Sequence, residues 1–242
     1  MREILLNYLK SMFSKKRIIA IALFAVIGLL ADRVAVSAVW GAKGQTFTLL
    51  QLFAPAVGAF LGGVSGAVTV LFTEIASFII QGKEVTVMNV VRLLPLVCAT
   101  FYFASVMRPH GKKSRWIEIG VPALAMLIFW EHPIGRAVWY YALYWTIPMI
   151  VSLTPLRKTL VGKSLGSTFT AHAVGGAYWI WATNMAAPLW TALIPVVAME
   201  RAVFGLGIAL TFMAVNLSLS RLPSVHALPI KIHHVRTVFS RG

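Results

Sequence analysis

Three acids, Asp32, Glu74 and Glu200, and three bases, Arg33, Arg92 and Arg201, sit inside long apolar stretches of this 242-residue chain. A charge at bilayer depth costs about 2.5 to 3.5 kcal/mol on an insertion scale unless it is paired or faces water. The balance of three against three fits a structural ion-pair network; the alternative is a proton or ion relay, with Glu74 as its titrating acid. Glu200 and Arg201 leave a helix about 100° apart, so each is expected to pair with another helix and not with its neighbour. A second set, Trp40, Gln45, Asn89, Arg92, Glu131, His132, Asn184 and Trp190, mixes flat rings with polar groups near the outer ends of different segments. Together they could form a pocket for a small polar aromatic or heterocyclic solute, with Arg92 and Glu131 as charge partners. Taken singly, each is better explained by an interfacial belt or a helix cap. The pocket therefore stands on their convergence.

The elements that would position these residues are eight hydrophobic segments: Ile18 to Ala38, Phe47 to Gly62, Gly66 to Ile80, Val85 to Met107, Ile117 to Glu131, Ile134 to Leu153, Phe169 to Met185 and Trp190 to Leu219. Each can cross a hydrocarbon core of roughly 30 Å with some tilt or shortening. If the N-terminus is cytoplasmic, 16 Lys and Arg fall on inner loops and ends, against Lys43, Lys83 and Arg136 outside. That asymmetry places both termini inside. The expected fold is an all-α polytopic bundle of six to eight spans in the plasma membrane. Residues 18–220 form its single domain, residues 1–17 a basic amphipathic interfacial helix and residues 221–242 a basic cytoplasmic tail. A composition 59% hydrophobic and only 12% charged excludes an ordinary soluble domain. The net charge of +15 lies beside the bilayer, where it points to anionic lipid and not to nucleic acid. No removable signal peptide is evident. The lone Cys98 excludes internal disulfides and Cys-rich metal sites, adjacent His233 and His234 lack a third ligand, and no cofactor motif is present.

Small residues crowd the stretch APAVGAFLGGVSGAV, where Gly58, Gly62 and Gly66 are spaced for close helix packing and Gly63 permits a tight reversal. That stretch within Phe53 to Met107, with HAVGGAYWIWATNMAAPLWTALIPVVAMERAVFGLG from His172 to Gly207, resembles the substrate-binding S components of energy-coupling-factor transporters. The resemblance implies capture of a vitamin-like micronutrient on the outer side. It also implies partnership with a transmembrane coupling subunit and cytoplasmic ATPases. The family's AxxxA surface for the coupling protein is matched by Ala31 and Ala35, and Ala22, Ala25 and Gly28 extend the stripe. The family usually has six spans where eight segments are counted here, and Asp32-Arg33 interrupts the AxxxA match.

Two other classes stay open. Gly63-Val64-Ser65-Gly66 matches the GxSG pattern of rhomboid intramembrane proteases, and the stretch around His172 resembles that family's histidine region. The resemblance implies a Ser65 nucleophile with His172 as general base. A structural or assembly subunit of a larger membrane complex fits the small-residue stripe and the basic inner face equally well.

Overall fold

Glycine and proline punctuate the apolar runs, and the computed structural model breaks its helices where they fall. It describes residues 14–38, 46–109 and 116–233. Trp40, Gln45, residues 1–13 of the interfacial helix expected over residues 1–17, and His234 lie outside the described residues, while Lys15, Lys16 and Arg17 open the first helix. The order is α1 (Lys15–Ala31), β1 (Ala35–Ala38), β2 (Thr46–Thr48), α2 (Leu50–Leu61), α3 (Gly63–Ile80), α4 (Val87–Val91) and α5 (Leu94–Val106). A π-helical turn, Trp116–Gly120, leads into α6 (Val121–Glu131) and α7 (Pro133–Ala137). A 3₁₀ stretch, Trp139–Thr146, runs into α8 (Ile147–Leu153), followed by a turn at Pro155–Lys158, α9 (Leu160–Ala182), α10 (Ala187–Ser220) and a turn at Pro223–Ala227.

The chain is mostly helical, and Gly63–Ile80, Asn89–Val106 and Ala187–Ser220 are long and apolar enough to cross a membrane. Their outward faces are apolar too: Val68, Phe72 and Ile79 on α3, and Met199, Val203, Leu206 and Leu210 on α10, are exposed. Such a surface suits lipid better than water. Three segment boundaries need correction. The first helix stops at Ala31, and Ala35–Ala38 pairs antiparallel with Thr46–Thr48 instead of extending it. The β-branched run Val34-Ala35-Val36 suits a strand better than a helix end. The fourth segment is interrupted between α4 and α5, before Pro95. The sixth is divided among α7, the 3₁₀ stretch and α8, with Pro133 and Pro148 at the starts of the two α-helices.

Gly62, and not Gly63, makes the reversal between α2 and α3, since Gly63 already begins α3. The Gly62 φ of 87° is open to glycine and strained for other residues. Two apolar clusters result: one joins α1, α2, α5 and α10 around Phe24, Phe60, Phe103 and Phe212. The other joins α6, the 3₁₀ stretch, α9 and α10 around Phe129, Trp145 and Trp190. Helix α9 packs extensively on α5, where the Ser167 hydroxyl donates to the Ala99 carbonyl at 2.8 Å.

The stripe assigned to a partner helix is largely consumed inside the chain. Ala25, Gly28 and Ala31 are buried, with Gly28 against Thr73 of α3 and Leu50 of α2. Ala22 faces outward and Ala35 lies in β1, so the five residues do not form one helical surface.

The tail does not simply extend away after α10. Its Lys231 amide donates to the Phe60 carbonyl at 2.8 Å, and Asn216 exchanges two hydrogen bonds with the His233 backbone. His233 Nε2 donates to the Ala59 carbonyl at 3.2 Å. The tail thus satisfies two carbonyls that the C-terminus of α2 leaves without helical donors. Burial holds the His233 imidazole below its ordinary value of 6.5, reinforced by Lys231 and Lys163 and partly offset by the Ala59 bond. A base depressed on docking binds fewer protons docked than released, so docking is strongest above 6.5 and weakens as pH falls through it. Hydrogen exchange at the Lys231 and His233 amides, corrected for intrinsic pH dependence, should accelerate on acidification. His233→Gln should remove most of that dependence.

Candidate functional site

Between the two apolar clusters lies a cavity of about 860 Å³. Glycine makes room for it on α9: a Cβ at Gly175 would meet only Pro95, at 3.9 Å. On the neighbouring face, a Cβ at Gly176 would stand 2.5 Å from the Trp145 indole, so that glycine is what lets Trp145 lie across the helix. Exposed Lys83 and Glu84 mark the cavity's rim, and buried Tyr141, Trp190 and Arg201 line its interior.

The wall formed by the end of α1 and α3 is built on Asp32. Its carboxylate accepts from Thr48 Oγ1 at 2.9 Å, from Gln81 Nε2 at 3.0 Å and from the Ser77 hydroxyl. One carboxylate thereby ties the α1 terminus, β2 and the end of α3 together. Glu74, one turn before Ser77, has no hydrogen bond or ion pair among the described residues; Lys83 and Arg92 are the opposite charges that act on it, and Asp32 the like one. Asp32, Glu74, Glu84 and Glu200 border the cavity, as do Arg33, Lys83, Arg92 and Arg201. Four acidic and four basic residues thus share its lining.

The opposite wall comes from the 3₁₀ stretch, α9 and α10. Arg201 pairs with Glu200, its own neighbour, which overturns the expectation of separate partners. A guanidinium on a flexible stem can bend around the helix to a carboxylate that the Cβ vectors alone would separate. The Arg201 guanidinium also stacks 4.4 Å from the Phe204 ring centroid and 5.1 Å from that of Phe47, bringing β2 against the middle of α10. Above it, Tyr141 and Trp190 meet edge to face at 4.9 Å.

His172 is held from both sides. Trp145 Nε1 donates to His172 Nδ1 at 3.0 Å, and His172 Nε2 lies 3.2 Å from the Tyr141 hydroxyl. An indole nitrogen can only donate, so Nδ1 carries no proton and the neutral ring's hydrogen sits on Nε2. The Ser65–His172 dyad is not assembled: no hydrogen bond joins them among the described residues, and His172 borders the cavity whereas Ser65 does not. Ser65 instead lies buried on α3, where its carbonyl accepts from Thr69.

Of the eight residues assigned to solute binding, Asn89, Arg92 and Trp190 border the cavity, and Trp40 and Gln45 fall outside the described residues. Glu131, His132 and Asn184 do not border it. Glu131 ends α6 and its carbonyl accepts from Arg136. His132 caps α7 by accepting from the Ile134 amide, with its ring packed on Trp181. Asn184 sits in the link from α9 to α10. Being near the end of a segment did not distinguish the helices around the cavity from those behind it. Of the charges assigned to a network, Asp32, Arg33, Glu74, Glu200 and Arg201 all border the cavity. Tyr141 is a lining residue that the sequence patterning does not single out. Its usable signal was its place in the aromatic run Trp139-Tyr140-Tyr141, followed by Trp145, opposite an apolar segment holding His172.

No group of three or more His, Cys, Asp or Glu that could hold a metal occurs among the described residues. The chemistry on offer is hydrogen bonding, charge pairing and ring stacking. Set against protein-family models, curated proteins and solved structures, the chain finds no match in any of the three.

Proposed function

We propose that the chain is a membrane-embedded binding component for uptake of a small polar solute, energised by separate subunits. The observation that carries this reading is the cavity of about 860 Å³, which is of ligand-site size and combines aromatic faces with acidic and basic side chains. The excess of Lys and Arg on inner loops supports an orientation with the hairpin outward and both termini cytoplasmic. In that orientation Lys83, Glu84, Asn89 and Arg92 stand at the solute's entrance. The resemblance to transporter S components fits a vitamin-like cargo, a coupling subunit and cytoplasmic ATPases. Since Ala25, Gly28 and Ala31 are buried, a coupling subunit would use a different surface from the small-residue stripe.

Native mass spectrometry after gentle solubilisation tests the reading. A retained small molecule, accompanied by ATPase or coupling subunits, supports it. A solute-free chain in the company of unrelated membrane subunits overturns it in favour of a structural role. Arg92→Gln provides a second check, since Arg92 is half-buried at the cavity and makes no hydrogen bond or ion pair among the described residues. Its replacement should weaken solute retention about tenfold, as loss of one charge-assisted contact does. Thermal stability should be nearly unchanged, and retention equal to the parent's would remove Arg92 from the entrance.

A further inference from the structure

Three residues that border the inner part of the cavity carry hydrogens that the fold leaves unmatched. Because Trp145 fixes His172 as the Nε2–H tautomer, His172 donates to the Tyr141 oxygen, and the hydroxyl's own hydrogen finds no acceptor among the described residues. Trp190 Nε1 and Arg201 Nε are buried without a partner. These two residues are only 2% and 4% exposed, and all three residues border the same cavity. Such groups are rare in folded proteins and each unmatched one is destabilising, so a shared wall of them calls for an acceptor.

We infer that this wall receives the acceptor edge of a flat, uncharged heterocycle carrying carbonyl oxygens or ring nitrogens, with His172 as the positioning residue that turns the Tyr141 hydroxyl into a donor. The inference rests on the solute-binding reading above and adds to it the chemistry of the solute. A carboxylate suits the wall less well, because Arg201 is already neutralised by Glu200 and a second anion would be repelled by that carboxylate. A cation is poorly matched to the three donors, since each offers a hydrogen and not a lone pair. Flatness follows from the rings of Trp179, Trp190 and Phe47, which also border the space.

Quinazoline-2,4-dione, 2-naphthoate, 2-naphthylmethylamine and naphthalene serve as probes of similar size that differ in what they offer the wall. Binding to the full chain in detergent can be followed by tryptophan fluorescence and by competition. The dione should bind tightest of the four. Tyr141→Phe should lower its affinity about tenfold and leave naphthalene's unchanged, because only one hydrogen bond is removed. His172→Phe should reproduce that selective loss, and His172→Gln, whose amide can accept from Trp145 and donate to Tyr141, should restore part of it. A role confined to folding would lower both affinities together, and that result overturns the inference. Preferred binding of the naphthoate or of the amine also overturns it while leaving the solute-binding reading in place. If none of the four binds and the chain purified from its own membrane retains no solute, both fall.

Discussion

Arg157→Met should destabilise the protein by about 3 to 5 kcal/mol, the usual result of stripping one partner from a buried ion pair. Arg157 Nη2 lies 2.7 Å from Glu118 Oε1, and Nε is 3.3 Å from Oε2, a two-point grip on a fully buried carboxylate. Both carboxylate oxygens are satisfied further by the hydroxyls of Ser105 and Ser152. Two of the guanidinium's other hydrogens go to the carbonyls of Arg108 at 2.9 Å and Ser105 at 3.1 Å. One ion pair therefore fastens α5, the π-helical turn before α6, α8 and the turn leading to α9. Without Arg157 the carboxylate is left in an apolar interior with two hydroxyls alone. Glu118→Gln should cost less, because the amide can still meet the serines and the 12%-exposed Arg157 keeps its two carbonyls. The double variant Glu118→Gln with Arg157→Met should be more stable than Arg157→Met alone, since no charge is left buried. Thermal unfolding of the four proteins in one detergent measures the cycle. Additive losses would mean that the pair is not coupled.

That pair also marks where the sequence stops being readable. Arg157 counts among the basic inner-loop residues and Glu118 begins a hydrophobic segment, 39 positions away, so charge patterning assigns the two to different tasks. Only the tertiary path brings them together. The same limit applies to the cavity. Asn89, Arg92 and Trp190 were legible because a charge, an amide and an indole at segment ends have few reasons to be there. Glu131, His132 and Asn184 look identical in sequence, yet the caps and turns behind the second apolar cluster occupy them. The Glu200–Arg201 pairing was misread for a different reason: backbone periodicity fixes where a Cβ points, and a long guanidinium does not obey it. The helical class was legible throughout, since hydropathy over twenty-residue windows is a local property. The hairpin at Ala35–Ala38 was not, because an apolar β-branched run continuing from a helix reads as more helix until its partner strand is known.

Gly58 and Gly66 are the opposite case, where spacing pointed to close packing even though the reversal expected at Gly63 falls on Gly62, and they carry the second large prediction. Gly58→Ala should prevent α2, α3 and α5 from closing, with a loss of at least about 3 kcal/mol, comparable to severe overpacking in a core. A Cβ at Gly58 would stand 2.3 Å from the Thr100 carbonyl oxygen, 3.0 Å from Thr100 Cγ2 and 3.1 Å from Ala104 Cβ. The first of these is backbone and cannot swing aside. On the facing helix, a Cβ at Gly66 would come within 2.7 Å of Gly58 Cα, so α2 is pressed between α3 on one side and α5 on the other. Gly63→Ala is the matched control at the start of α3: its Cβ would meet Phe101 no closer than 3.4 Å, and alanine at a compatible backbone position stabilises by about 0.4 to 1 kcal/mol through the unfolded chain. The two substitutions add the same methyl group to apolar helices five positions apart, and should move thermal unfolding in opposite directions. If Gly58→Ala were as well tolerated as Gly63→Ala, the α2–α5 crossing would have to be wider than these contacts require. The wall that holds Gln51 at the cavity would then be looser by the same displacement, since Gln51 stands on the helix that Gly58 locks in place.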